Sequence, residues 1–185
     1  MRVASPVGGR LLHLRVKEGD RVKPGDVVAT LDTANVAGLP EGRHGVVFST
    51  TSPASIVVDR AITRPAGDGI ATSVVLGQPA RAAVRRWSLA ISSELAVDDT
   101  LVVLNVDNQD ALITVKVLGL GGEVPIAGME NVAVGKNQTI ALTVTDPTAL
   151  GRPWVVESSS RIYVERLLPR SAELRGRSGS FALPS

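Results

Sequence analysis

Two stretches of this chain say nearly the same thing, and the repeat they form constrains the fold more than any other feature. Residues 42–65 read GRHGVVFSTTSPASIVVDRAITRP, and residues 151–170 read GRPWVVESSSRIYVERLLPR. Each opens on Gly-Arg and continues with a valine pair, Val46-Val47 and Val155-Val156. Each then turns through serines and ends on an apolar strand closing in an acid–arginine pair, Asp59-Arg60 and Glu165-Arg166. The correspondence extends outward. Val22-Lys23-Pro24-Gly25 before VVATL matches Val132-Ala133-Val134-Gly135 before TIAL, and Trp87-Ser88-Leu89-Ala90 is echoed by Phe181-Ala182-Leu183-Pro184. Apart from this last echo, the copies lie about 106 to 111 residues apart, a period that suits a sandwich-sized unit rather than a solenoid repeat. The repeat predicts the C-terminal part of a first β-sandwich over residues 1–66 and a second, near-complete one over 67–185.

The local pattern is that of short strands and turns. Leu101–Asn105 (LVVLN) reads as a buried strand with a polar end, 106–110 as a turn, and Leu112–Leu118 (LITVKVL) as the returning strand of a hairpin. Gly119, Gly121 and Gly122 end it. A strand enters at Val132–Gly135, and Gln138–Val144 follows with Ile140, Leu142 and Val144 on one face. The one helix-like piece, ARAAVRR at 80–86, is too short to stand alone. Many short strands with no long helix predict an all-β sandwich. Aromatic residues make up only 3% of the chain, so Val, Ile, Leu and Ala must fill its core.

Composition removes several functions. There is no cysteine, hence no disulfide, thiolate metal site or cysteine nucleophile. A formal charge of +2 with arginines spread along the chain argues against nucleic-acid binding. No run approaches the roughly 18 apolar residues of a membrane span. Met1–Gly9 (MRVASPVGG) has no apolar signal core. Because the repeat starts in mid-unit, the expectation is a piece of a longer product whose export signal lies upstream.

The chemistry-bearing residues are few. Arg60 and Arg166 end apolar strands, and Arg166 follows Ile162 and Val164 on one face, so a buried guanidinium there needs carboxylate or carbonyl partners. Such an arginine either pins a sheet corner or anchors a ligand. Trp87 and Trp154 either supply core bulk or stack on sugars, and Arg85-Arg86 beside Trp87 could supply a cation–π contact. Asp98, Asp99, Asp107 and Asp110 offer hard oxygen ligands, but their spacing matches no calcium loop. Ser158-Ser159-Ser160 has no nucleophile-elbow frame, and only His13 and His44 could act as a base. Gly119-Leu120-Gly121-Gly122 fails the dinucleotide pattern because Val124 stands where a glycine is required. Asn137-Gln138-Thr139 is an acceptor triplet for N-glycosylation, and the repeat assigns it to a strand. The expectation is therefore no catalytic residue, metal or cofactor, with Arg60, Arg166, Trp87 and Trp154 as candidate binding residues.

Two resemblances extend this reading. Residues 3–34, with VKEGDRVKPGDVVATLD, resemble the biotinyl/lipoyl hammerhead of carrier domains and efflux adaptors. The stretch lacks the Met-Lys-Met tip of a biotin carrier, Lys17 and Lys23 fall outside such a tip, and no second half-motif follows. The series LVVLN, ITVKV, a Val-x-Val-Gly strand, GRxxVVxSSxxIxVER and RSGSFALP, within about Val22 to Pro184, resembles an actinobacterial family of secreted or cell-envelope repeat proteins of unknown function. That resemblance implies export, tandem immunoglobulin-like sandwiches and no known enzymatic activity. The reading is a non-catalytic module, spacer or adhesion domain, outside the cell or in its envelope, meeting cell-wall glycan or another envelope protein. The alternative is an adaptor of the membrane-fusion type built on residues 3–34. A weaker third reading is a carbohydrate-binding accessory domain using Trp87 or Trp154.

Overall fold

The computed structural model describes residues 11–14, 23, 29–31, 45–48, 57–66, 69–91, 98–169 and 177–185. The chain divides into two compact units, Met1–Val57 and Val58–Ser185. In the first, strands β1 (Leu11–Leu14) and β2 (Ala29–Leu31) pair antiparallel, with Leu11 opposite Leu31 and Leu14 opposite Ala29. These strands bracket the Gly-Asp and Pro-Gly signals of the lipoyl-like stretch. Lys17, His44 and Ser49–Ser52 lie outside the described residues. Val46 and Val47 are exposed and in no strand.

Among its described residues the second unit is all-β apart from one 3-10 turn, Ala80–Ala82. It begins with a hairpin, β3 (Asp59–Ala66) and β4 (Gly69–Leu76). Strand β3 therefore groups with the strands C-terminal to it, whereas the repeat divides the chain at 66/67. The remaining strands are β5 (Val84–Leu89), β6 (Asp99–Asn105), β7 (Ala111–Gly119), β8 (Gly122–Pro125), β9 (Val132–Val134), β10 (Thr139–Val144), β11 (Trp154–Pro169), β12 (Arg177–Phe181) and β13 (Leu183–Pro184).

Strand β11, 16 residues long, organises the unit. Its first half, Trp154–Ser158, lies between β5 and β7, and its second half, from Ile162 on, lies between β6 and β12. The first layer is completed by β13 on β5 and by β8 and β9 on β7; the second by β10 on β6. The crossover occurs where β11 advances from Glu157 to Ile162 while its partner β5 moves only from Arg86 to Val84. Such an irregularity bends a strand and lets it serve two sheets.

Alternation then decides the core. Trp87, Leu89, Ile113, Val115, Trp154 and Val156 point inward from the first layer, and Leu101, Val103, Val144, Ile162 and Val164 from the second. Two sequence expectations are corrected here. Ser158–Ser160 form no turn but lie inside β11. Ser159 Oγ accepts the Leu112 N–H at 2.9 Å, and Ser160 Oγ accepts from Gln109 at 3.3 Å, so the hydroxyls tie the crossover to the start of β7 and to the β6–β7 loop. And β6 and β7 are no hairpin: β6 pairs with β10 and β11, while β7 pairs with β11, β8 and β9. The segment 106–110 is an arch between layers. The hairpin of this region is β7–β8, whose turn uses Gly122 at φ +108°, a conformation that glycine adopts without strain.

Candidate functional site

Arg166 is a buried arginine at one end of the core. It follows Ile162 and Val164 on the inward face of β11 and is 3% exposed. Its Nη2 donates to Asp99 Oδ2 at 2.6 Å and its Nη1 donates to the Ala90 carbonyl. The guanidinium lies 3.9 Å over the Trp154 ring. Asp99 begins β6 in the second layer, whereas Ala90 and Trp154 belong to the first. One side chain thus clamps the two layers at one end of the core, through charge, carbonyl and aromatic face together.

Asn105, at the far end of the inward stripe Asp99–Leu101–Val103–Asn105, clamps the other end. It is fully buried, and its Nδ2 donates to the carbonyls of Gln109 (2.8 Å), Val134 (3.1 Å) and Gly135 (3.2 Å). Its Oδ1 accepts the Asp107 N–H at 3.0 Å. Sequence reasoning missed Asn105 as a key residue. The available signal was a polar residue falling in the inward phase of an apolar strand, which has to find partners when buried.

Arg60 occupies a different setting from Arg166. It projects from β3 and pairs with Glu165 of β11, which is 5% exposed. Gly179 of β12 leaves room for this pair: a Cβ there would run into Glu165 and stand 3.0 Å from Val75 of β4. Tyr163 adds a bond from its hydroxyl to the Pro79 carbonyl at 2.6 Å, and burial pushes that hydroxyl above its ordinary pKa.

Both tryptophans are core residues, Trp87 at 0% and Trp154 at 1% exposure. Their N–H groups donate inside, Trp87 to Ile162 O at 3.0 Å and Trp154 to Ala149 O at 2.8 Å. No ring face is offered to a sugar, which corrects that reading; with so few aromatics, the sandwich needs their bulk. The cation–π contact likewise falls on Trp154 rather than Trp87. Arg86 instead joins Glu157, Glu123 and Lys116 in a cross-strand ladder over β5, β11, β8 and β7. These partners raise the pKa of Arg86 and Lys116 and lower that of Glu123.

The four aspartates do not converge. Asp99 holds Arg166; Asp107 binds Arg161 through the backbone N–H (2.7 Å), Nε (3.0 Å) and Nη2 (2.7 Å); Asp110 accepts the Lys136 N–H at 2.9 Å. The Arg161 guanidinium holds the Asp107 carboxyl below the usual carboxylate range. No acid–histidine group of metal-binding geometry occurs among the described residues. Asn137, assigned to a strand by the repeat, sits instead in the turn before β10 at φ +55°.

No family model matches this chain. The dihydrolipoyllysine-residue acetyltransferase component of the pyruvate dehydrogenase complex of Corynebacterium glutamicum is 25% identical over 157 residues, 82% of this chain and 23% of that protein. The chain therefore spans about a quarter of the length of the curated relative it matches. The crystal structure of Thermotoga maritima 1070 superposes with a TM-score of 0.44 at 12% identity, over 56% of this chain and 96% of that one. The repeat family remains a resemblance of motifs.

Proposed function

We propose that this chain is a non-catalytic β-sandwich module of a secreted or envelope-associated protein, acting as a spacer or interaction domain. What supports this reading is the use the fold makes of its polar side chains. Arg166, Asp99, Asn105, Asp107, Arg161 and the Ser158–Ser160 run each join strands, layers or loops. Framework duty of this kind suits a rigid presenting scaffold. Its partner is a cell-wall glycan or another envelope protein, met on outer sheet faces rather than on Trp87 or Trp154. The test is external protease on intact cells carrying the native gene product. Cleavage of this segment while a cytoplasmic marker stays whole is the expected result. Protection in sealed cells, with cleavage only after lysis, refutes the exposed-module reading.

A second reading, an adaptor or carrier built on residues 3–34, is favoured by the likeness to the acetyltransferase component and by the antiparallel pairing of β1 with β2. A carrier would show a lipoyl or biotinyl mass on a lysine of residues 3–34 in the native protein. An adaptor would carry neither mass and would depend on this segment to bind its partner.

A further inference from the structure

The two acid–arginine strands align position by position: IVVDRAITR at 56–64 against IYVERLLPR at 162–170. Both strands belong to hairpins of matching register. In β3–β4, Asp59 lies opposite Leu76, Arg60 opposite Val75 and Ala61 opposite Val74. In β11–β12, Glu165 lies opposite Phe181, Arg166 opposite Ser180 and Leu167 opposite Gly179. Asp59 thus stands for Glu165, Ala61 for Leu167, Val74 for Gly179 and Leu76 for Phe181.

What covers this shared face differs between the two hairpins. On β11–β12 it is closed: Glu165 and Leu167 are buried, Glu165 takes Arg60, and Val75 approaches Gly179. The cover is the opposite face of β3–β4, which carries Arg60 and Val75. On β3–β4 the equivalent face is open. Asp59, Ala61, Thr63 and Thr72 are exposed, and Val74, Leu76 and Ile70 are 61%, 63% and 76% exposed. A two-stranded ribbon with three large apolar side chains in water on one face is poorly stabilised as it stands.

We propose that this open face is a docking surface for a further β-hairpin of the same repeat, one that sets an arginine on Asp59 as Arg60 sits on Glu165. The apolar row Val74, Leu76 and Ile70 supplies the buried area, and Asp59 supplies register and selectivity. The contact is head-to-tail, with the arginine face of the incoming hairpin on the acid face of β3–β4, and the series ends at β11–β12, whose Arg166 is held in the core by Asp99. This deepens the module reading, on which it rests, by giving the interaction domain a partner of its own kind.

The test titrates the isotope-labelled full chain with a head-to-tail cyclised peptide of residues 56–78, closed so that ordering the free peptide costs little. Saturable NMR shifts at Ala61, Val74 and Leu76 are expected. Asp59→Arg in the chain should weaken binding about tenfold or more, as should Arg60→Asp in the peptide, and pairing the two swapped partners should recover most of the loss. No saturable binding, or equal affinity for the Asp59→Arg chain, overturns the proposal. Shifts at Leu167 and Gly179 instead would mean exchange with the resident hairpin, and concentration-dependent shifts without peptide would assign the face to a second copy; either also overturns it. Protease accessibility on cells reads the module proposal independently, so the two can fail separately.

Discussion

Replacing Arg166 with Met separates the structural role of this arginine from any other. Arg166→Met keeps much of the side-chain bulk but leaves Asp99, fully buried, without its cation, and the Ala90 carbonyl without its donor. Breaking a buried ion pair by removing one partner costs about 3–5 kcal/mol, a large share of the roughly 5–15 kcal/mol that holds a domain folded. The pair itself is not well satisfied: Asp99 Oδ1 and Arg166 Nε are buried without a hydrogen-bond partner among the described residues. Replacing both residues by apolar ones should therefore restore stability. Asp99→Leu/Arg166→Met is expected to lie within about 1 kcal/mol of the parent or above it. Urea unfolding followed by tryptophan fluorescence measures this, because both tryptophans belong to the Val58–Ser185 unit. Transition midpoints are compared rather than amplitudes, since Arg166 touches Trp154. A loss under about 1 kcal/mol for Arg166→Met, or a double variant as unstable as the sum of the singles, refutes the clamp argument.

Three further outcomes are expected from the geometry. Asn105→Ala strands buried carbonyls at Val134 and Gly135 and should cost about 3 kcal/mol in urea unfolding; a change within about 0.5 kcal/mol would show that the layers do not depend on it. Gly179→Val pushes a side chain into Glu165 and Val75, so the melting temperature should fall and the β4 amides should lose exchange protection; unaltered protection contradicts the packing of β3–β4 on β12. Arg161 lowers the Asp107 carboxyl below its unfolded value. The stabilisation this brings is complete above the ordinary carboxylate range and is lost as pH falls through the depressed folded value. Asp107→Asn should flatten the acid limb of the melting-temperature profile, and an identical acid limb would exclude this coupling.

Much of this was legible in the residues because it is local. Side-chain period decides which residues share a face, so Ile140, Leu142 and Val144 in β10 and the inward run Ile162–Val164–Arg166 in β11 follow from alternation alone. The same phase argument required carboxylate and carbonyl partners for Arg166, and Asp99 and Ala90 are of those kinds. Pairing partners were not legible. LVVLN and LITVKV flank a polar turn as hairpin strands do, yet burial of both inward faces is achieved only by setting them in different layers. The serines read as a turn because they favour turns locally; in place, Gln109 of the arch and Leu112 of β7 supply partners for Ser160 and Ser159.

By itself, then, the sequence determined the strand class, the phase of each strand and the repeat that sets Asp59-Arg60 against Glu165-Arg166, since all three depend on neighbours along the chain. Tertiary structure alone decided that Trp87 and Trp154 are enclosed, that Asn105 and Arg166 clamp opposite ends of the core, and that Arg60 reaches Glu165. The reason is physical: burial and ion pairing depend on which strand lies alongside, and one long strand shared by two layers makes that choice across the whole unit.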